Sequence, residues 1–368
     1  MPIVKLILVG GFLGAGKTTL LAQAASKLSA AGKRVGLITN DQAADLVDTE
    51  MLRQKGFGVN EVAGGCFCCR FDELVHASEK LIAEQRPDVL IGEPVGSCTD
   101  LAATVVQPLN AFKSGILRAT PFTVVVDPER LKELLASGGS KNPLSKKVSY
   151  IYGKQLEEAD LIALNKSDEL PLEEIVALTG ELRRRFPQAQ VLPLSALKGD
   201  GVDAWLARVL SDAPAGQHIA EVDYDVYAEG EAELGWLNAS VLLKSEEDVE
   251  WKRFCLELLK NLRAKLLERK IEAAHVKLAL SAPGAALVAN LTSTKGQPFL
   301  LVQGTYEGPS RTARLIFNAR VQTEPETLKA LAEAVLRETC GVQIAAEFGV
   351  LQAFKPGRPV PVHRFRKG

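Results

Sequence analysis

The chain has 368 residues, enough for two domains that each bury a core. Its 44 lysines and arginines nearly balance its 45 aspartates and glutamates, which excludes a strong net field toward nucleic acid or an anionic membrane. No apolar run approaches the roughly 20 residues that span a bilayer, and we predict no signal segment ahead of the first strand. The six cysteines lack disulfide-framework spacing, so we expect a protein of the reducing cytoplasm. From the charge balance and the lack of a long apolar run, we expect it to bind neither nucleic acid nor membrane.

Short apolar runs alternate with helical patterns over roughly the first 210 residues. The predicted strands are Val4–Val9, Val35–Thr39, Val89–Ile91, Phe122–Val126, Leu161–Leu164 and Val191–Leu194. The predicted helices are Thr18–Ala30, Glu73–Glu84, Pro128–Leu135 and Leu172–Arg185. Continuous apolar strands separated by helices are typical of a parallel sheet that is covered on both faces. We therefore predict an α/β domain over residues 1–212.

A glycine-rich loop directly follows the first predicted strand. Residues 11–18 read GFLGAGKT, which matches G-x-x-x-x-G-K-[ST] between a strand and a helix. The glycines let backbone N–H groups surround phosphates, Lys17 supplies charge to the β- and γ-phosphates, and Thr18 offers a hydroxyl to Mg²⁺. The predicted nucleotide-binding residues here are Gly11, Gly14, Ala15, Gly16, Lys17, Thr18 and Thr19. The first domain is thus predicted to be a P-loop NTPase with a mostly parallel sheet.

The stretch at 62–71 reads VAGGCFCCRF and holds three of the six cysteines, which are Cys66, Cys68 and Cys69. Three thiolates suit Zn²⁺ in a tetrahedral site, and Co²⁺ takes similar ligands. A fourth ligand is needed, and water, Asp72, His76 or a partner subunit could supply it. Two alternatives stay open: a redox switch with transient disulfides, and a buried structural cluster. The other cysteines, expected to be core residues, are Cys98, Cys255 and Cys340.

Acidic residues follow two of the predicted strands. Glu93 comes after the strand Val89–Ile91, where P-loop folds place the group that organises Mg²⁺ or the attacking water. Glu93 is therefore assigned to catalysis and to Mg²⁺, and Gly96 to sensing of the γ-phosphate. After the second strand, Asp41 is assigned to Mg²⁺ with Thr18 and Glu93. Asp48 is assigned to catalysis with Lys17 and Glu93, although which aspartate supports Mg²⁺ stays open.

A guanine-reading signature follows the fifth predicted strand. The residues are Asn165, Lys166, Ser167 and Asp168. The Asp168 carboxylate can accept hydrogen bonds from guanine N1–H and N2–H₂, a pattern that adenine does not offer, while Lys166 would lie along the base. A later loop, predicted to present a backbone N–H to guanine O6, comprises Ser195, Ala196 and Leu197. These residues predict GTP and GDP as the nucleotides.

The pattern changes after a predicted linker at 213–230. Residues 231–368 are predicted to form a smaller α+β, ferredoxin-like domain that docks a client or shapes a dimer. Its predicted strands are Glu233–Leu243, His275–Leu280, Ala286–Leu291, Phe299–Gln303, Ala313–Val321 and Gln343–Phe354, and its predicted helices are Val249–Leu267 and Pro325–Arg337. The basic run His363–Lys367 is expected to be a solvated tail.

Over roughly residues 3–210 the chain resembles CobW-type GTPases, relatives of HypB and UreG. The resemblance rests on the order of the P-loop, the Gly65–Cys69 loop, Glu93–Gly96 and Asn165–Asp168. It implies slow, Mg²⁺-dependent GTP hydrolysis, metal binding at the cysteines, Asp48 as an acid of the second switch element, and nucleotide-dependent interaction with a client. The chain departs from the family at 40–43, which read NDQA instead of the common NEFG, at Pro94, and in having only four histidines.

The leading hypothesis is a GTP-hydrolysing metallochaperone or insertase. It would couple the nucleotide state to Zn²⁺ or Co²⁺ binding at the cysteine loop and to maturation of a client metalloenzyme or cobalamin-related protein, with a nucleotide-dependent homodimer as an option. The alternative is a GTP-regulated interaction module with a thiol redox switch and no metal transfer. A P-loop phosphotransferase is a third reading, which the guanine signature disfavours.

Overall fold

The structure, a computed structural model, describes residues 3–41, 47–54, 56–135, 145–295 and 301–366. The chain divides into two compact units. The first comprises the described parts of 1–44, 55–230 and 358–368, and the second those of 45–54 and 231–357. Within these described ranges, no helix is both long and apolar enough to cross a membrane.

The first unit is built on a parallel sheet. Its strands are β1 (Val4–Gly10), β2 (Val35–Asp41), β3 (Val59–Ala63), β4 (Val89–Glu93), β5 (Leu117–Ala119), β6 (Thr123–Val126), β7 (Leu161–Leu164) and β8 (Gln190–Pro193). They lie in the order β3-β2-β4-β1-β6-β7-β8, with β5 also paired to β1, and all the described pairings are parallel. The predicted parallel sheet is confirmed. Strands β3 and β5 were not predicted, since β3 has a polar centre and β5 is three residues long.

Helices connect these strands, as crossovers between parallel strands require, and two more follow the last strand, β8. They are α1 (Lys17–Ala30), α2 (Val47–Gln54), α3 (Phe71–Gln85), α4 (Gln107–Phe112), α5 (Pro128–Leu135), α6 (Lys146–Glu157), α7 (Leu172–Arg185), α8 (Val202–Val209) and α9 (Tyr224–Ala232). A π-helical turn, Ala102–Val106, leads into α4. Because the carboxyl ends of parallel strands meet at one edge, the loops after β1, β2, β4, β6 and β7 gather there.

The second unit contains an antiparallel sheet and two long helices. Its elements are β9 (Gly235–Val249), α10 (Trp251–Glu268), β10 (Ala273–Ala282), β11 (Ala285–Leu291), β12 (Leu301–Tyr306), β13 (Ser310–Val321), α11 (Pro325–Cys340) and β14 (Ile344–Phe354). The strand order is β12-β11-β10-β13-β9-β14. Its β14-β9-β13-β10 core with α10 and α11 has the predicted ferredoxin-like connectivity, and β11 and β12 extend it. Cys255 and Cys340 lie in its apolar core, as predicted.

Helix α2 also belongs to the second unit, although its sequence follows β2. Val47 is buried in an apolar cluster with Ala279, Val288 and Ile316. The Val47 N–H donates to Asn318 Oδ1 at 3.0 Å. Helix α2 therefore packs with the antiparallel sheet, which differs from the sequence-based division at residue 212.

The segment 358–366 belongs to the first unit, and the expectation of a solvated tail is wrong for residues 363–365. The Val362 N–H donates to Cys68 O at 3.0 Å and the Phe365 N–H to Ala103 O at 2.9 Å. Arg364 Nε lies 2.6 Å from the fully buried Asp100 carboxylate. Backbone hydrogen bonds and this ion pair fix residues 363–365 to the first unit, although their composition is typical of a solvent-exposed end.

Candidate functional site

The P-loop lies between the carboxyl end of β1 and the start of α1. Gly11, Gly14 and Gly16 have φ of 127°, 80° and 95°, a region that side chains other than glycine rarely adopt. A Cβ at Gly11 would lie 2.2 Å from Val125 O, and one at Gly16 would lie 2.3 Å from Asn165 Nδ2. Glycine is thus needed both for the turn and for the close approach of the loop after β7. This arrangement fits a phosphate cradle.

Three predicted phosphate and Mg²⁺ residues meet at the start of α1. Lys17 and Thr18 are the first residues of α1, and both are buried. Glu93 Oε1 accepts a hydrogen bond from Thr18 Oγ1 at 3.1 Å and lies 3.8 Å from Lys17 Nζ. The hydroxyl, the ammonium group and the carboxylate can therefore act on one phosphate and its metal ion.

The predicted guanine loop packs against the P-loop through Asn165. Its Nδ2 donates to Ala15 O at 2.8 Å, and its Oδ1 accepts from the Ala196 N–H at 2.8 Å. Asn165 thus joins the P-loop to the loop at 195–197, where Ser195 Oγ accepts from the Lys198 N–H at 3.0 Å. Asn165 is buried, so its role is to hold both loops in place rather than to face solvent.

Lys166 and Asp168 lie on the solvent side of the same turn. Lys166 has φ of 57° and pairs with Asp127, the residue that follows β6. Asp127 Oδ1 also accepts from the Arg130 N–H at 3.0 Å at the start of α5. Asp168 is exposed, so its carboxylate is accessible to a base. Asp127 thereby fixes the position of the Lys166 ammonium group.

The three cysteines of the predicted metal loop come together, with their Sγ atoms all within 4.8 Å of one another. Cys66 Sγ lies 2.8 Å from Cys68 Sγ and 3.2 Å from Cys69 Sγ, and the last pair is 3.7 Å apart. A tetrahedral Zn²⁺ site with Zn–S bonds of about 2.3 Å has S···S edges of about 3.8 Å. Opening the cluster by about 1 Å would therefore admit the ion.

The cysteines differ in acidity. Hydrogen bonds with Cys68 and then Cys69 lower the pKa of the Cys66 thiol well below its ordinary value. Hydrogen bonds with Cys66 and Cys69, together with burial, raise the pKa of the Cys68 thiol well above its ordinary value. The hydrogen bond with Cys66 raises the pKa of Cys69 to about 11. Cys66 is thus the first to ionise, and a bound metal ion must displace protons from Cys68 and Cys69.

Asn40, near the end of β2, anchors the cysteine loop. Its Nδ2 donates to Val62 O at 2.9 Å and to Gly65 O at 2.7 Å, and its Oδ1 accepts from the Phe67 N–H at 2.9 Å. The Cys69 N–H closes a turn onto Cys66 O at 3.0 Å. The thiols are therefore held by a strand that ends at the phosphate edge of the sheet.

The nucleotide-binding domain model of the CobW/HypB/UreG family matches residues 5–193, about half of the chain. The chain belongs to the CobW/HypB/UreG family. Three curated relatives are named zinc chaperone CobW of Pseudomonas aeruginosa, zinc chaperone CobW of a Sinorhizobium species, and zinc-regulated GTPase metalloprotein activator 1 of Dictyostelium discoideum. They are 29%, 30% and 27% identical over 236, 200 and 212 residues, or 54%, 48% and 50% of this chain. The matches cover 60%, 54% and 44% of the relatives, so the chain spans about half the length of the proteins it matches.

Some predicted residues of this CobW/HypB/UreG domain lie apart from the site or outside the described residues. Asp41 ends β2 and Asp48 lies in α2, but their side chains lie outside the described part of the structure, so their roles stay predictions. Asp72 and His76 are exposed on α3, and neither joins the cluster of cysteine ligands found among the described residues. The predicted γ-phosphate sensor Gly96 is buried beside the P-loop, since a Cβ there would lie 3.0 Å from Lys17 Nζ.

Four residues around this site were not predicted from the sequence to belong to it: Asn40, Cys98, Asp127 and Gln155. Asp127 and Asn40 do carry a signal, because each lies at the carboxyl end of a buried strand of a parallel sheet. Cys98 was expected to be an ordinary core residue; it is buried, and its thiol also lowers the pKa of Cys66. Gln155 lies in the last turn of α6 and has no sequence signal that would set it apart.

Proposed function

We propose that this chain is a GTP-binding and GTP-hydrolysing metallochaperone that couples its nucleotide state to binding of Zn²⁺ or Co²⁺ at Cys66, Cys68 and Cys69. One observation carries the proposal. Three thiols within 4.8 Å are held by Asn40 on the strand that ends next to the phosphate cradle. Such a donor set suits a soft or borderline divalent ion. The names of the relatives, zinc chaperone and zinc-regulated GTPase, support the same assignment.

The nucleotide is proposed to be GTP. Asp168 would accept from guanine N1–H and N2–H₂, while Lys166, held by Asp127, would lie along the ring. The Leu197 N–H is the proposed donor to guanine O6, since the Ser195 N–H donates to Asp200 O at 2.9 Å and the Ala196 N–H to Asn165 Oδ1 at 2.8 Å. An adenine there would leave the Asp168 carboxylate without its donors, and this penalty selects against ATP.

Hydrolysis is proposed to depend on Lys17, Thr18 and Glu93, with Gly96 following the γ-phosphate. Mg²⁺, when bound, neutralises charge on the β- and γ-phosphates and polarises the attacked phosphorus. Thr18 and Glu93 would hold it, with Asp41 or Asp48 completing the set. The Lys17 ammonium group stays close to the Glu93 carboxylate and stabilises charge on the transferred group.

A client metalloenzyme or cobalamin-related protein is the proposed recipient of the metal. The second unit, with its ferredoxin-like sheet, is the proposed docking or dimerisation element. A cytoplasmic location and a nucleotide-dependent homodimer belong to the same proposal. Each fits a carrier that loads, docks and releases according to its nucleotide.

The test is a competition titration of the reduced protein with Zn²⁺ and Co²⁺, in GDP·Mg and in a non-hydrolysable GTP analogue. We expect one metal per chain, with tighter binding in the GTP-analogue state. A Cys66→Ser/Cys68→Ser/Cys69→Ser variant should lose the metal, whereas Cys340→Ser, which removes a core thiol of the second unit, should keep it. Equal affinity in both nucleotide states would overturn the coupling.

The same samples distinguish the thiol redox switch from the metallochaperone. The 2.8 Å separation of Cys66 Sγ and Cys68 Sγ is the observation that favours it. If the wild-type protein binds no metal but mass spectrometry finds a reversible disulfide in this loop, the thiol switch replaces the metallochaperone. Product analysis after GTP turnover excludes phosphotransfer if only GDP and phosphate form.

A further inference from the structure

The segment 358–366 has an alternating sequence at its start, where Pro359 and Pro361 are separated by Val360. Proline has no N–H, so Val360 and Val362 supply the only backbone donors between residues 359 and 362. Proline also fixes its own φ and biases the residue before it toward an extended backbone. The segment lies outside helices and strands, so neither valine donor is used in regular secondary structure.

Both of these donors bind the cysteine loop. The Val360 N–H donates to Cys69 Sγ at 3.2 Å, and the Val362 N–H donates to Cys68 O at 3.0 Å. The two valine side chains are 69% and 47% exposed, so burial of apolar surface adds little to this contact. The segment therefore contacts the cysteine loop through its backbone, and one of its donors ends on the sulfur of a proposed metal ligand.

Arg364 holds the segment in place two residues further along. Its Nε donates to Asp100 Oδ2 at 2.6 Å. The Asp100 side chain is fully buried and also accepts from the Tyr224 hydroxyl at 2.6 Å. The Phe365 N–H adds a hydrogen bond to Ala103 O at 2.9 Å. Because undocking of the segment would leave a buried carboxylate without its cation, this ion pair favours the docked state.

We propose that the segment 358–366 is a clamp on the cysteine loop: the Val360 N–H stabilises the metal-bound Cys69 thiolate, and Arg364 keeps the clamp docked, so that the ion leaves slowly until the segment is released. This proposal rests on the proposed function. A cysteine binds a metal ion as the thiolate, and an N–H donates more strongly to a charged acceptor than to a neutral one. Contacts of this kind typically change metal affinity by about 10- to 100-fold. Linkage then requires the metal ion to stabilise the docked clamp by the same factor.

The first test uses the unaltered full-length protein with isotope-labelled valine, metal-free and loaded with Zn²⁺. Hydrogen exchange of the Val360 and Val362 amides is followed by NMR. Both amides should exchange about tenfold or more slowly when the ion is bound, because the metal and the clamp stabilise each other. Val176, on α7, is the control and should exchange at the same rate in both forms.

Variants of the full chain test the donor to the sulfur. Val360→Pro removes the N–H, so Zn²⁺ should pass to a chelator about tenfold or more faster. The thiolate-to-Co²⁺ charge-transfer bands should move to longer wavelength, because the Cys69 sulfur loses a donor that stabilised its lone pairs. Val360→Ala is the matched control, since it keeps the N–H and shortens an exposed side chain, and it should change neither measurement.

Variants at Arg364 test the docking contact. Arg364→Ala should also speed the release of Zn²⁺ to the chelator, because the segment loses its ion pair with Asp100. Arg364→Lys keeps a cation but not the planar guanidinium group, so it should restore part of the wild-type rate. Arg366→Ala, which removes an exposed arginine of the same segment, should leave the rate unchanged.

The outcomes separate the clamp from the function on which it rests. If the Zn²⁺-loaded wild type exchanges its Val360 and Val362 amides as fast as the metal-free protein, the clamp is overturned and the metallochaperone stays intact. Unchanged release of Zn²⁺ from Val360→Pro has the same meaning. A wild-type protein that binds no metal overturns both proposals. The exchange measurement decides the matter even if the variants at 360 and 364 fail to fold.

Discussion

Replacing Asn40 with alanine removes the side chain that fixes the cysteine loop to β2. Three hydrogen bonds disappear, to Val62 O at 2.9 Å, to Gly65 O at 2.7 Å and from the Phe67 N–H at 2.9 Å. Each contributes about 1 kcal/mol net, so the three bonds together contribute about 3 kcal/mol. We expect the free energy of unfolding to fall by about 3 kcal/mol.

Metal affinity should fall as well, because the variant must order its loop when the ion binds. If the whole stabilisation were expressed in binding, about 3 kcal/mol would correspond to roughly 100-fold, since about 1.4 kcal/mol is tenfold. Outer-shell contacts of metal sites are typically worth about 10- to 100-fold. We therefore expect the Zn²⁺ affinity of Asn40→Ala to be about 10- to 100-fold weaker than that of the wild type.

Two measurements on each protein check this: guanidinium unfolding of the metal-free form, and a Zn²⁺ competition titration. Asn60→Ala is the control, since Asn60 lies on neighbouring β3 and makes one longer bond, to Ala77 O at 3.3 Å. Asn40→Asp keeps an acceptor for the Phe67 N–H but loses both donated hydrogen bonds. Its Zn²⁺ affinity should therefore lie between those of Asn40→Ala and Asn60→Ala. Equal Zn²⁺ affinity in Asn40→Ala and Asn60→Ala would refute the anchoring role.

Three further changes probe the first unit. Gly16→Ala should reduce binding of a fluorescent GDP analogue by about tenfold or more, because its Cβ would lie 2.3 Å from Asn165 Nδ2. Gly32→Ala is the control and should leave binding unchanged, since no atom lies within 4 Å of a Cβ there. Burial raises the pKa of Glu158 well above its ordinary value, so the folded state keeps a proton that the unfolded state releases, and stability should fall as pH rises above about 4.5. Glu158→Gln should flatten that slope in urea unfolding between about pH 5 and about pH 8. Arg364→Ala, by leaving its buried aspartate without a cation, should lower the free energy of unfolding by about 1–3 kcal/mol and hasten proteolysis of the segment 358–366.

The sequence was sufficient for those parts of the fold that local chemistry dictates. The P-loop was found because phosphate binding requires glycines and a lysine at fixed spacing between a strand and a helix. The parallel sheet was found because strands covered on both faces are continuously apolar, as β1 and β7 are. The ferredoxin-like sheet followed from two strand–helix–strand halves, each built on a helix with one apolar face.

Contacts between distant residues were beyond sequence reasoning. Asn40 reaches Gly65 across 25 positions, and the Val360 N–H reaches Cys69 across 291. No periodicity or spacing rule records such pairs, because they are fixed by which strands lie side by side and by where the chain returns. The same reason explains Cys98, whose burial was expected but whose neighbour was not.

Sheet order explains why a phosphate site and a thiol site would influence each other in this chain. Strand β4 lies between β1 and β2, so its end is next to both the P-loop and the strand that holds the cysteine loop. At the end of β4, Glu93 Oε1 accepts a hydrogen bond from Thr18 Oγ1 at 3.1 Å. From β2, Asn40 grips the cysteine loop one residue before Asp41. The proposed coupling of nucleotide and metal therefore involves the ends of two adjacent strands, since Glu93 ends β4 beside Thr18 and Asn40, near the end of β2, holds the cysteine loop.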